Sequence, residues 1–489
     1  MARETQASET RPRVRVRMYR QGLGDCFLVS VLRDDAPPFH MMIDCGVILG
    51  TPDATGRLRA VLGSVIEETG GRIDVLAVTH EHYDHVAGFF LARDLFAAPE
   101  EAGAAGKLSV GEVWFAWTED PASDLARTLR EERAAGLRAL TAMALRLGAA
   151  GLGDEPAVGA ALSFFGVEAK ESGASGLGHT AEAMAFAAGL APPGRVRYLE
   201  PGAVLAPEAA PELRFRVLGP PMDRASLRRT DSTREVYHIA AGALEASVLL
   251  AAGEDGAAPG EAFSPFGPGW GLPLASLGEL ADDRAKFFRE LYLDDAEQSW
   301  RRIDGAWLAS AEGLALALDG ATNNTSLVLA IELVEGDGDG EGGGGEVLLF
   351  PADAQVGNWL SWDTLAWPGP EGTLTAADLL ARTVFYKVGH HGSHNATLRA
   401  RGLERMPAPD LVSFIPVDEE MARKKRWNAM PLPALLEALR AHCGPGLVRL
   451  DEDPPADAPG VTTGGTGVQY GSLYVDWTRA LPARRAATS

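Results

Sequence analysis

Hydrophobic periodicity divides the chain into two strand-rich ends around a helical middle. VRVRMYR (14–20) alternates apolar and polar residues, the period of a half-buried strand, and reads as an edge strand. GDCFLVSVL (24–32) follows the Gly22/Gly24 turn as a second strand, and FHMMIDCG (39–46) forms a third. Residues 57–70 carry a helical repeat. IDVLAVTH (73–80) is an apolar run ending in polar residues, as expected of a strand buried on both faces that delivers a loop at its carboxyl end. From about 93 to 212 Ala-rich stretches laced with Arg and Glu, such as 121–147, have helical periodicity broken by Gly and Pro, and LRFRVLGPP (213–221) reads as a strand. Residues 222–320 are mixed, with a helix expected near 281–302. Strand character returns in NTSLVLAIEL, EVLLFPAD, RTVFYKVGHHG and LVSFIPV, and EGDGDGEGGGGE (335–346) predicts a flexible hairpin tip. No internal repeat is visible.

Composition narrows the class. The 489 residues are 46% apolar, which suffices for a sizeable core, and no run approaches the roughly 18–20 apolar residues of a membrane helix. The N-terminal residues lack the apolar stretch of a secretory signal, and three cysteines (Cys26, Cys45, Cys443) without paired-ligand spacing suit a reducing compartment, so the cytoplasm is the expected location. A net charge of −22 argues against a protein that coats nucleic acid with its whole surface, although a metal site can supply positive charge locally. The basic exceptions, the alternate arginines of 11–20 and Arg423-Lys424-Lys425-Arg426, read as a solvated strand face and a solvated loop, with a phosphate-binding patch as the alternative.

The chemistry is concentrated in two short segments that hold six of the ten histidines: His80, His82 and His85, then His390, His391 and His394. In THEHYDH four potential ligands, His80, His82, Asp84 and His85, fall within six residues directly after an apolar strand. Imidazole and carboxylate suit zinc, manganese or iron.

HxHxDH after a buried strand resembles the metallo-β-lactamase fold. MMIDCG resembles that family's first motif, ending in Asp44, and LLFPAD its later acidic ligand, Asp353. YKVGHHGSH, RQGLGDCFLV and NNTSLVL are similar to the soluble hydrolase domain of ComEC-type competence proteins. The resemblance covers roughly residues 12–92 and 321–420. It implies an α/β (α+β) fold, an αββα sandwich over 12–480 with its core mainly in 12–92 and 321–480, and 93–320 as a largely helical insertion.

The resemblance further implies two divalent ions, zinc foremost, with manganese or iron(II) as alternatives. His80 and His82 would hold one ion; Asp84, His85 and a downstream histidine the second; Asp353 would bridge them. His391 is the favoured downstream ligand, with His390 as an orienting residue or ligand and His394 on the surface or substrate side. Many family members carry a histidine before the SLVL strand, where this chain has Asn323 and Asn324; Asn324 is a further candidate ligand, and His179 in GLGHT mimics the motif. Asp84 would also accept the nucleophile's proton, Asp44 would hydrogen-bond a ligand, and Lys387 would either offset phosphate charge or serve the strand. Two cations acidify a water and clamp the attacking and leaving oxygens.

The expected function is a metal-dependent phosphodiesterase or nuclease attacking with a metal-bound hydroxide. Its substrate would be a short or single-stranded nucleic acid or a nucleotide, and no membrane is involved. Hydrolysis of a small ester, lactone or amide is the alternative, and a partner-binding module with a structural metal is a second one. The insertion is expected to wall the cleft and set the substrate.

Overall fold

The computed structural model describes residues 11–149, 159, 162–167, 179–230, 232, 286–287, 290, 304–334, 344–369, 372–427, 429–452 and 467–481. The helix expected near 281–302 and the hairpin tip expected at 335–346 lie almost wholly outside these residues.

Two mixed sheets organise the chain. The first contains β1 (Arg13–Tyr19), β2 (Phe27–Leu32), β3 (Phe39–Ile43), β4 (Arg72–Val78), β5 (Ser109–Ala116) and β6 (Val196–Leu199). The second contains β7 (Val204–Leu205), β8 (Leu213–Gly219), β9 (Val328–Leu333), β10 (Val347–Phe350), β13 (Thr383–Lys387), β14 (Val412–Ile415) and β15 (Leu447–Arg449). β11 (Ala366–Gly369) and β12 (Gly372–Thr375) form a separate hairpin, and β16 (Gly467–Tyr470) and β17 (Tyr474–Ala480) return to the first sheet. The strand orders are β16-β17-β1-β2-β3-β4-β5-β6 and β15-β14-β13-β10-β9-β8-β7. Within them β3 to β6 run parallel, as do β10, β13, β14 and β15, and the remaining neighbours are antiparallel.

Parallel neighbours need crossovers, and helices supply several of them. The helices are α1 (Ala54–Thr69), α2 (Tyr83–Leu91), α3 (Asp124–Ala149), α4 (His179–Ala188), α5 (Arg224–Leu227), α6 (Asp304–Asn323), α7 (Val356–Ser361), α8 (Ala376–Ala381), α9 (Glu419–Lys424) and α10 (Pro433–Cys443). In α1 the buried residues Leu58, Val61, Leu62 and Val65 follow i, i+3, i+4, i+7 and cover one face of the first sheet, against Leu28, Leu76 and Val78. Leu435 and Leu439 of α10 cover the second sheet on the side of Tyr386 and Val388. The opposite faces of the two sheets meet in one apolar layer, where Phe27 packs on Phe350, Trp114 on Phe215 and Phe385 on Trp477 at 5.1–5.7 Å between ring centres. Among the described residues no helix is long and apolar enough to cross a membrane.

Two expectations change. β1 is an interior strand, paired with β2 on one side and with β17 from the far end of the chain on the other. Arg15 and Arg17 accordingly face Glu68 and Asp476 instead of solvent or phosphate, while Arg13 stays exposed. Arg17 is 3% exposed, bonds both oxygens of Asp476 at 2.7 and 2.8 Å, and lies 3.4 Å over the Tyr474 ring. Alternation reports a half-buried strand but not which strands flank it. The span 93–320, expected to be largely helical, also supplies β5, β6 and β7 to the two main sheets, beside the expected strand β8.

Candidate metal centre

The carboxyl ends of β3 and β4 in one sheet, and of β10 and β13 in the other, deliver Asp44, His80, Asp353 and the His390-His391 pair to one place. Crevices at strand carboxyl ends are where open α/β sheets hold ligands. Beyond β4 the chain makes one extended step through His82 and enters α2, so Asp84 and His85 stand in its first turn. That turn sits against backbone: Cys45 N–H donates to the His85 carbonyl at 2.8 Å and Asp25 N–H to the Asp84 carbonyl at 3.0 Å. Gly46 makes the approach possible, because a Cβ there would lie 2.2 Å from the Asp84 backbone.

Six described non-glycine residues have positive φ, and four of them, Asp44, Ala352, His390 and His391, belong to this region. Such conformations cost about 1–3 kcal/mol each and persist where surrounding structure over-determines them, often at functional sites.

Asp84, His85, Asp353 and His391 form a fully buried group whose ligand atoms all lie within 4.8 Å of one another, a donor set suited to a metal ion. His391 Nε2 is 2.9 Å from Asp84 Oδ2, and His85 Nε2 is 3.1 Å from Asp353 Oδ2. The far ring nitrogens are fixed from behind: His85 Nδ1 meets Asp44 Oδ2 at 2.7 Å, and His391 Nδ1 meets the Pro416 carbonyl at 2.7 Å. Asp44 in turn accepts from Thr79 N–H at 2.8 Å and Thr79 Oγ1 at 2.7 Å. Partners of this kind orient metal-binding imidazoles. Asp84 Oδ1 is buried with no hydrogen-bond partner.

Neighbouring charges set the protonation here. Burial alone would push His85 down, yet Asp353, Asp25, Asp44 and Asp84 hold it well above the usual imidazole range. His391 is likewise raised against burial, by Asp353 and its bond to Asp84. Burial would raise Asp353, but His85, Lys387 and His391 hold it well below the usual carboxylate range. For Asp44 burial wins over His85 and the carboxyl is pushed up.

A second half of the site is electrically different. Burial lowers His80, and it lowers His82 to about 3 and His390 to about 4, so these imidazoles are neutral, the form that binds metal. His80 Nε2 lies 3.1 Å from His82 Nδ1, and His390 Nδ1 lies 2.9 Å from Ser393 Oγ. The outward nitrogens, His82 Nε2 and His390 Nε2, are buried without partners. His390 Nε2 is 4.0 Å from Asp353 Oδ2, and His82 Nε2 is 3.9 Å from Asp319 Oδ1 of α6. Burial, then Asp353 and Asp84, push the Asp319 carboxyl up to about 8. Phe164 and Phe165 pack on the His82 ring at 5.2 and 5.1 Å, and Phe164 stacks on Trp427 at 4.5 Å.

The other candidates have different surroundings. Lys387 is 1% exposed; its Nζ contacts Asp25 Oδ2 at 2.6 Å, Asp353 Oδ1 at 3.1 Å and the Ala352 carbonyl at 2.9 Å, which makes it the counter-ion of the buried acids. Both polar atoms of the Asn324 amide are engaged with backbone: Nδ2 donates to the Arg229 carbonyl at 2.8 Å, and Oδ1 accepts from the Gln355 and Asn358 N–H groups. These bonds tie the segment before β9 to the segments around Arg229 and α7. His179 opens α4, packs 4.2 Å from Phe90 and is not a member of the grouped ligands. His394 is half-buried.

Sequence reasoning missed Asp25 and Asp319. Asp25 closes the GLGD turn after two glycines, and a lone acid in a turn carries no ligand spacing of its own. Asp319 gave a fainter signal, one acid closing an apolar helical stretch, LALALDG, four residues before Asn323. No family model matches the chain, and no curated protein matches it.

Proposed function

We propose that the chain is a metal-dependent hydrolase of phosphodiester bonds, built as the αββα sandwich of the metallo-β-lactamase fold. The observation that carries this reading is the buried group Asp84, His85, Asp353 and His391, drawn from both sheets and flanked by donor atoms that have no protein partner. These four residues would hold one divalent ion, and His80 and His82, with His390, would serve a second. Ions bound there would acidify a water and offset the charge of a phosphodiester. The chain's own residues supply the rest. Asp84 keeps Oδ1 without a partner, able to accept a proton from the attacking water. Asp44 and the Pro416 carbonyl hold His85 and His391 with Nε2 toward the acids. Phe164, Phe165 and Trp427 exclude water on the His82 side.

The closed site and the net charge of −22 favour a short or single-stranded nucleic acid or a nucleotide over duplex DNA, which needs an open basic channel. The same aromatic wall also suits the acyl part of a small ester, lactone or amide, the second reading. A panel of bis(p-nitrophenyl) phosphate, single- and double-stranded DNA, RNA and a lactone separates the two. His82→Ala and Asp353→Ala should each abolish turnover of the phosphodiester while circular dichroism stays unchanged. Cleavage of the lactone alone by the wild type would favour the second reading. Full phosphodiester turnover in either variant, with metal content unchanged, would reject the assignment.

A further inference from the structure

Asp319 lies on α6, within the span that the sequence separates from the chemistry, yet its Oδ1 and the His82 Nε2 are both buried, both without a hydrogen-bond partner, and 3.9 Å apart. That distance is too long for a hydrogen bond. It fits two ligands of one ion, since zinc bonds of about 2.0–2.2 Å to each place the two ligand atoms roughly 3–4 Å apart. We propose that Asp319 is a protein ligand that joins His82 in holding a divalent cation, so that α6 supplies part of the metal centre. This rests on the reading that the site binds divalent metal.

The surroundings fix Asp319 in this position. Asn323 Nδ2 donates to the other carboxylate oxygen at 3.2 Å, which leaves Oδ1 to face His82. His82 Nδ1 is engaged with His80, which leaves Nε2 to face Asp319. α6 is seated closely on both sides. A Cβ on Gly320 would meet Thr230 Cγ2 at 2.4 Å, and one on Gly136 of α3 would meet Leu318 Cδ2 at 2.5 Å. Two small residues thus bring the helix near enough for a short aspartate to reach the histidines. A neutral imidazole and a carboxylate form a borderline donor pair, suited to zinc, manganese or iron(II).

The test is zinc and manganese binding to chelator-stripped full-length protein, followed by calorimetry and by metal analysis after gel filtration, for wild type, Asp319→Asn and His391→Ala. Asparagine keeps the size and the bond to Asn323. The expected result is two ions in the wild type, one weakened at least about tenfold in Asp319→Asn. In His391→Ala the other ion should be lost, and both variants should melt in chelator within a few degrees of wild type. Cobalt substituted for zinc should change its visible absorption in Asp319→Asn. Two ions bound with unchanged affinity in Asp319→Asn, or one ion that only His391→Ala removes, would overturn the inference and leave the hydrolase reading standing. No stoichiometric metal in the wild type would overturn both.

Discussion

Lys387→Met is the sharpest perturbation of the electrostatic account. Lys387 Nζ lies 2.6 Å from Asp25 and 3.1 Å from Asp353, carboxylates that are 2% and 0% exposed. Removing one partner from a buried pair leaves charge unpaired in low dielectric, which costs about 3–5 kcal/mol. Spread over 489 residues at ~2.1 cal/mol/K each, the entropy at the midpoint is about 1 kcal/mol/K, so the melting temperature in chelator should fall by roughly 3–5 °C. Asp353 is held well below the usual carboxylate range, so its contribution is present above the unfolded carboxyl value of about 4 and disappears as pH falls through the folded value. Without Lys387 that loss begins at a higher pH, and the acid-unfolding midpoint should rise. Denaturant titrations read both effects. The Lys387→Met, Asp25→Asn double variant should recover part of the loss, because one of the two acids is neutralised. A loss under about 1 kcal/mol with the acid midpoint unmoved would refute the reasoning and return Lys387 to a role toward substrate.

Metal binding should release protons, because His85 and His391 are raised in the metal-free protein and a metal needs them neutral. Affinity should therefore climb with pH until both imidazoles are deprotonated, as read by calorimetry in buffers of different ionisation enthalpy; a binding constant flat from pH 6 to 8 would contradict it. Phe164→Ala should open the His82 side, where Phe164 lies between the ring and Trp427. Turnover of bis(p-nitrophenyl) phosphate should hold or rise while cleavage of single-stranded DNA changes, and a collapse of small-substrate turnover with metal retained would show the wall to be catalytic.

The ligand-bearing segments were legible because they are local. HxHxDH needs only the apolar run of β4 and the start of α2 to be read, and β3, β8, β9, β10, β13 and β14 each announce themselves by a short apolar stretch. What was not legible depends on pairings far apart in the chain. Arg17 reads as a solvated residue until Asp476, 459 positions later, is laid against it. Lys387 reads as either a phosphate partner or a strand residue until Asp25 closes on it. β5 and β6 were hidden by the helical texture around them, since a four-residue strand such as VRYL carries too little period to register. Asp319 needs Gly320 and Gly136 to bring α6 down, and no local pattern encodes that approach.

The central claim is that Asp84, His85, Asp353 and His391 together hold a divalent ion. The most direct measurement is zinc binding to chelator-stripped protein, wild type against His391→Ala, by calorimetry at pH 7.5. The account predicts stoichiometric binding in the wild type and loss of one ion in the variant, with the fold retained by circular dichroism. Equal binding in both, or none in the wild type, would contradict it.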